Sequence, residues 1–188
     1  MDEVQTGVGR TGRSLWASET IYNGMKGPDM ISMAKGLGNG HRAAVMAVLK
    51  EHSPKIDGLT YHTFGQTIED LAVMGTVLQV VQRDNLTENA RIRGEEFKTG
   101  LAEMKSRVPF SFEVQGRGLM VGIVLDTAKR VNAVLKAAPL EGWIPGKGGV
   151  NGNILRVAPP INIDSTFVKN VLRGIEYTFR LPEVEAAQ

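Results

Sequence analysis

The stretch Met30-Ile-Ser-Met-Ala-Lys-Gly-Leu-Gly-Asn-Gly40 decides the fold, because a short apolar run ends at a single lysine and glycines follow. The run comes after the turn-prone Lys26-Gly-Pro28, and it predicts a buried β-strand that ends at Lys35. Such a position suits a lysine that reacts through its amine. The alternative is a surface lysine whose stem covers apolar surface while its amine stays in water.

The segments that follow this strand predict another strand and two helices. Residues 43–49, Ala-Ala-Val-Met-Ala-Val-Leu, predict a second buried strand, although the alanines leave a helix open. Thr67 as N-cap and Asp70 at the third helical position, followed by apolar residues at spacings of three and four, predict a helix of about four turns. A longer amphipathic helix is predicted from near Asn85.

The second half of the chain predicts a small sheet and a last helix. β-branched and aromatic residues between positions 112 and 125, and the run at 154–157, predict its strands. Residues 125–142 are interpreted as a shortened loop. The last helix is predicted to begin at Asp164 or Ser165 and to end before Pro182, followed by a frayed tail.

The composition excludes several kinds of site. The 22 Lys and Arg and 20 Asp and Glu residues form no run of like charges, so nothing indicates a nucleic-acid or membrane partner. The absence of cysteine excludes disulfides, thiolate catalysis and cysteine-ligated metals. His41, His52 and His62 lack the i, i+4 spacing that places two metal ligands on one helix face, so we expect no metal.

The chain also lacks the pattern of a targeted or membrane-spanning protein. No stretch approaches the ~18 consecutive apolar residues of a membrane span, and the start Met-Asp-Glu-Val resembles neither a signal nor a transit peptide. We therefore expect a soluble intracellular protein, without distinguishing the cytoplasm from the mitochondrial matrix.

Four ordered motifs resemble those of the class III aminotransferases, which depend on pyridoxal 5'-phosphate. They are Asp2-Glu-Val-Gln-Thr-Gly-Val-Gly-Arg-Thr-Gly12, Pro28-Asp-Met-Ile-Ser-Met-Ala-Lys-Gly-Leu-Gly-Asn-Gly40, His62-Thr-Phe-Gly65 and Gln115-Gly-Arg-Gly-Leu-Met120. Within that class, residues 146–160 are similar to the alanine:glyoxylate aminotransferase 2 group. The resemblance covers nearly the whole chain but only the C-terminal half or so of a family member.

The resemblance implies an α/β fold, the C-terminal part of a fold type I transferase. Residues 1–84 would be part of the large cofactor-binding domain, with a mainly parallel sheet. Residues 85–188 would be the small α+β domain.

The resemblance also assigns cofactor contacts. Lys35 would form an imine with the cofactor aldehyde and transfer a proton. Asp2 would pair with the protonated pyridine nitrogen; the alternative is a disordered residue beside the start methionine. Val4 would pack on one ring face, and Gln5 would hydrogen-bond the phenolic oxygen.

Two further matches concern the partner subunit and the substrate. Thr63 matches a threonine that reaches the cofactor phosphate of the neighbouring subunit, which implies a homodimer with shared sites. Arg156 matches the arginine that binds the substrate carboxylate, for which a planar guanidinium is suited. The sequence departs from the family at Gln66-Thr67 and at His41-Arg42.

The expected reaction is transfer of an amino group between an amino acid and a 2-oxo acid, with alanine and glyoxylate implied by resemblance. We expect the 188-residue chain alone to act slowly or not at all, because family members use an upstream loop for most phosphate contacts. Two alternatives stay open: a non-catalytic fragment or interaction protein, and a nucleotide-binding module. The second rests on Gly7, Gly9 and Gly12, which satisfy the G-x-G-x-x-G pattern but have too few preceding residues for a strand.

Overall fold

The computed structural model describes residues 1–53 and 67–187, which form two compact units, Met1–Glu88 and Asn89–Gln188. The elements of the first unit are α1 (Ala17–Tyr22), β1 (Met30–Met33), β2 (Val45–Val48) and α2 (Ile68–Arg83), and α3 (Leu86–Met104) begins there. Those of the second are β3 (Glu113–Arg117), β4 (Met120–Val124), α4 (Ala128–Ala137), β5 (Gly146–Gly148), β6 (Ile154–Val157), α5 (Ser165–Phe179) and α6 (Pro182–Glu185).

β1 and β2 form an antiparallel pair, with Met30 opposite Val48 and Met33 opposite Val45. A mainly parallel sheet was expected, but a parallel pair needs a crossover connection, usually a helix, and residues 34–44 between these strands contain only a 3-10 turn. Among the described residues of this unit, parallel pairing is limited to a bridge between Asp2 and Ser32.

Both predicted strands are confirmed as strands, but their predicted burial is wrong. Met30 is 40% exposed and Met46 is 61% exposed. In the described part of the unit the sheet has only two strands, so it covers little of its own apolar surface. β1 also ends at Met33, two residues earlier than predicted.

The two predicted helices, α2 and α3, are confirmed. The Thr67 hydroxyl accepts a hydrogen bond from the backbone N–H of Asp70 at 3.2 Å, which is the expected N-cap. In α3, Phe97 and Leu101 are fully buried and belong to the core of the second unit. No helix of residues 1–53 and 67–187 is both long and apolar enough to cross a membrane.

The second unit has an antiparallel sheet in the order β3-β4-β6-β5. The stretch interpreted as a loop holds α4, where Thr127 caps the helix by accepting from Arg130 N at 3.1 Å. The predicted fraying of the tail is also wrong, because Val184 in α6 is fully buried. The buried Arg130 guanidinium donates to the carbonyls of Val184 and Glu185 at 2.7 and 2.8 Å, and these bonds fix the tail.

Candidate active site

The Asp2 segment lies beside the strand that leads to Lys35. The backbone N–H of Ser32 donates to Met1 O at 3.0 Å, and the N–H of Glu3 donates to Ser32 O at 2.8 Å. The bridge between Asp2 and Ser32 is parallel, so both segments run toward the same edge, and Lys35 lies three residues beyond Ser32. The structure therefore brings two distant motifs together at the carboxyl end of β1, the kind of edge where α/β folds bind ligands.

Lys35 begins a tight 3-10 turn immediately after this strand. Its φ of 46° lies in the left-handed region, which is uncommon for a residue other than glycine. Its carbonyl accepts hydrogen bonds from the N–H groups of Gly38 and Asn39 at 3.0 and 3.1 Å. The turn fixes the backbone of Lys35, whose side chain is exposed.

Val8 has an equally unusual backbone and lies next to this turn. Its φ is 58°, an outlier for a β-branched residue, and its side chain is buried. A Cβ added to Gly36 would lie 3.8 Å from Val8 Cβ, so the two unusual backbone segments adjoin. Residues held in such conformations each cost about 1–3 kcal/mol and cluster at functional sites.

Glu3 is a site residue that the sequence interpretation missed. Its side chain is 1% exposed, its Oε1 accepts from Ser18 N at 2.6 Å, and the Thr6 hydroxyl donates to its Oε2. Burial raises the pKa of Glu3, but hydrogen bonds from Thr6, Ser18 and Ala17 outweigh it and hold that pKa below its ordinary value. The ionised carboxylate therefore anchors the segment that carries Asp2.

The predicted ring-contacting residues lie in the turn that follows Asp2. Asp2 Oδ1 accepts from Val4 N at 2.8 Å, which orients the carboxylate. Val4 is half-buried and Gln5 is exposed. Their contacts with a cofactor stay predictions, and Thr63 lies outside the described residues.

Arg156 lies on β6 in the second unit, opposite Gly122 on one side and Gly146 on the other. A Cβ added to Gly146 would lie 3.0 Å from Arg156 Nη2, so the guanidinium lies across the Gly146 backbone. The absence of a side chain at position 146 leaves room for that placement. Arg156 is exposed, and its role in binding a carboxylate stays a prediction.

The glycines of the G-x-G-x-x-G pattern have a structural explanation. They lie in a series of turns that follows an isolated bridge residue instead of a strand. A Cβ on Gly7 would lie 2.6 Å from the Trp16 ring, and Gly9 and Gly12 have φ of 77° and 76°. A dinucleotide fingerprint requires strand, loop and helix in succession, and the described context lacks that order.

Asp29, Glu51 and His52 form a mixed cluster whose ligand atoms lie within 4.8 Å of one another. Lys26 Nζ lies 3.7 Å from Asp29 Oδ1. A hydrogen bond from His52, followed by the charge of Lys26, lowers the pKa of Asp29. Histidine spacing alone does not reveal this cluster, because two of its three members are carboxylates.

The chain is similar to one known family and to several of its members. The profile of the family "Aminotransferase class-III" matches residues 1–179. Alanine–glyoxylate aminotransferase 2 homolog 2, mitochondrial, of Arabidopsis thaliana is 31% identical over 186 residues, covering 94% of this chain and 38% of the relative. Acetylornithine aminotransferase of Thermosynechococcus vestitus is 36% identical over 174 residues, covering 91% of this chain and 41% of the relative.

A solved structure of ornithine aminotransferase from Toxoplasma gondii, described with partial occupancy of PLP at its active site, has a TM-score of 0.82 and 26% identity. The match covers 95% of this chain and 42% of that one. The chain thus spans about two fifths of the length of the relatives it matches, and its α/β fold is the predicted C-terminal part of a fold type I transferase. The chain belongs to the class III aminotransferases, a family that depends on pyridoxal 5'-phosphate.

Proposed function

We propose that residues 1–53 supply the lysine-bearing part of a pyridoxal-phosphate site, and that the protein transfers an amino group between an amino acid and a 2-oxo acid. The observation that carries this proposal is the parallel bridge between Asp2 and Ser32. It places a carboxylate-bearing residue at the edge of β1 where Lys35 begins its turn. Family membership supports the same reaction class.

The residues at this edge have the chemistry that the cofactor requires. When bound, pyridoxal phosphate supplies an aldehyde for a lysine amine and a protonated ring that draws electrons from the substrate. The Asp2 carboxylate would hold the proton on the ring nitrogen. The Lys35 amine would hold the cofactor and, once released from it, accept a proton from the α-carbon of the substrate.

Arg156 would orient the substrate, because its guanidinium can form two parallel hydrogen bonds with a carboxylate. Alanine and glyoxylate are the proposed substrate pair, supported by the name of the Arabidopsis relative. Acetylornithine is the second candidate, supported by the cyanobacterial relative. Incubating cofactor-loaded protein with each amino donor and assaying for the oxo product would distinguish these candidates.

Reductive labelling tests the cofactor site directly. The protein is mixed with pyridoxal phosphate at a limiting concentration, reduced with borohydride and mapped by peptide mass spectrometry. We expect the label at Lys35, its loss in Lys35→Arg and its retention in Lys50→Arg, which alters an exposed lysine of the same unit. Asp2→Asn should lower the labelling. A label spread evenly over exposed lysines would contradict the proposal.

We also propose a homodimer and slow turnover by the 188-residue chain alone. The predicted role of Thr63 toward a neighbouring subunit supports the dimer, which light scattering would detect. Steady-state transamination in the range typical of enzymes, on the order of 1 to 1,000 per second, would contradict slow turnover.

A further inference from the structure

A continuous set of hydrogen bonds links the Lys35 backbone to the first turn of α2. The carbonyl of Lys35 accepts from Gly38 N at 3.0 Å, and the carbonyl of Gly38 accepts from His41 N at 2.8 Å. His41 Nδ1 lies 3.1 Å from Asp70 Oδ1. Lys35, Gly38 and His41 are therefore connected to Asp70 of α2 by consecutive hydrogen bonds.

Asp70, the last residue in this set of hydrogen bonds, is itself held by Thr67 at the start of α2. The Thr67 hydroxyl donates to Asp70 Oδ2 at 2.7 Å while accepting from Asp70 N at 3.2 Å. Hydrogen bonds from Thr67 and then from His41 lower the pKa of Asp70, so its carboxylate is ionised at neutral pH. α2 also packs against the Lys35–Leu37 turn. α2 thus contacts the turn and, through Asp70, also bonds to His41.

The turn itself leaves the backbone of His41 little freedom. A Cβ added to Gly38 would lie 2.6 Å from the carbonyl oxygen of His41, and His41 O accepts from Ala43 N at 2.9 Å. The backbone of His41 is therefore part of a compact turn, and its imidazole joins that turn to Asp70.

We infer that His41 is a positioning residue for Lys35. By bonding to Asp70, His41 holds the turn against the N-terminus of α2, and the turn orients the lysine. The inference rests on the proposed function, in which the Lys35 amine holds the cofactor. His41 is not proposed to contact the reacting atoms. His41 acts through the turn, and for this role it needs only a hydrogen-bond donor at the position of Nδ1.

The size of the effect follows from exposure. The side chains of His41 and Asp70 are 55% and 18% exposed, and the charged neighbours Arg42 and Glu69 line the same open cavity of about 400 Å³. A partly exposed side-chain pair of this kind shifts a local equilibrium by about twofold to fivefold. Amide exchange in the turn reports that opening equilibrium.

The test uses three variants of His41 and one control, first without cofactor. His41→Asn keeps a donor where Nδ1 lies, His41→Gln moves it to the Nε2 position, and His41→Ala removes it. The control is His52→Ala, because His52 also lies beside a carboxylate in the same unit, with Asp29 Oδ1 at 3.4 Å. Hydrogen exchange of residues 36–43 and the acylation rate of Lys35 relative to Lys50 are measured by mass spectrometry.

We expect His41→Ala and His41→Gln to speed exchange in the turn about twofold to fivefold and to change the relative acylation of Lys35, and His41→Asn to restore both. His52→Ala should alter neither. Unchanged exchange in His41→Ala would overturn the inference. So would faster exchange with unchanged Lys35 acylation, because His41 would then stabilise the turn without positioning the amine.

Reductive labelling separates this inference from the proposed function. If unsubstituted protein takes no label at Lys35, the proposed function fails, while the cofactor-free measurements still decide whether His41 positions the amine. If it is labelled, His41→Ala should lower Lys35 labelling at limiting cofactor by a similar factor of about two to five. Equal labelling of both proteins would overturn the inference and leave the proposed function intact.

Discussion

Replacing Glu3 with glutamine should destabilise the first unit although the two side chains have nearly the same shape. The carboxylate accepts hydrogen bonds from Ser18 N at 2.6 Å, from the Thr6 hydroxyl and from the Ala17 backbone. Hydrogen bonds to a charged group contribute about 1.5–3 kcal/mol, and leaving a buried donor unpaired costs a similar amount. Glutamine removes the charge and presents an NH₂ group to these donors, so we expect a loss of about 1.5–3 kcal/mol in unfolding free energy.

Urea unfolding at pH 7, followed by tryptophan fluorescence, measures this loss. The chain has two tryptophans, and a Trp143→Phe background in every protein leaves Trp16 as the reporter. Trp16 is a local probe, because a Cβ on Gly7 would lie 2.6 Å from its ring. Glu19→Gln is the matched control. Glu19 is exposed in α1, the helix that contains Ala17 and Ser18, and it accepts one hydrogen bond, from Trp16 N at 3.2 Å. It should cost less than about 1 kcal/mol.

The pH dependence provides the sharper criterion. The folded state lowers the pKa of Glu3, so its ionisation stabilises the fold above the unfolded-state pKa, and that stabilisation is lost as the pH falls through the folded-state pKa. The difference in stability between the unsubstituted protein and the Glu3→Gln variant should therefore shrink as the pH falls below about 4.3, the ordinary glutamate value. Equal stability at pH 7, or a difference that grows on acidification, would refute the reasoning.

Two further substitutions test how backbone conformation and a buried cation hold the fold. Gly9→Ala should cost about 1–3 kcal/mol in urea unfolding, because Gly9 has a φ of 77° and an added Cβ would lie 2.5 Å from Thr87 Oγ1. Gly24→Ala, at a φ of 85° with nothing within 4 Å of the added Cβ, should cost less, and equal costs would remove the steric explanation. Arg130→Met should release α6, because Arg130 is 2% exposed and donates to Val184 O at 2.7 Å, so limited proteolysis should cut the tail faster than in unsubstituted protein. An unchanged cleavage rate would show that the tail is held by apolar contacts instead.

The features that the sequence predicted well are set by local interactions. The start of α2 depends on Thr67 and Asp70, which lie within four residues of each other and bond directly. The start of α5 depends likewise on Asp164, whose Oδ1 accepts from Phe167 N at 2.7 Å. Helix caps of this kind can be predicted from the sequence because the donor and the acceptor are close in the chain.

The features that were missed depend on partners distant in sequence. The tail is fixed by Arg130, more than fifty residues upstream of α6. An exposed and a buried strand can share one apolar composition, so the pattern at β1 and β2 could not reveal how many neighbours the sheet has. In the same way, the adjacent acids Asp2 and Glu3 look equivalent in the sequence, yet one is exposed and the other is buried.

The candidate site shows the same division between residue identity and residue placement. The motifs named Lys35 and Asp2 separately, but their proximity depends on a parallel bridge to Ser32 that no local pattern encodes. The left-handed backbone at Lys35 was also unpredictable, because lysine has no intrinsic preference for it and the surrounding turn imposes it. A conformation that the residue itself disfavours must be maintained by its neighbours. At Lys35, the hydrogen bonds that run through Gly38 and His41 to Asp70 serve this purpose. The chemistry proposed for Lys35 therefore depends also on His41 and Asp70, which lie outside the family motifs. Substituting His41 tests the placement of the lysine while the lysine itself is retained.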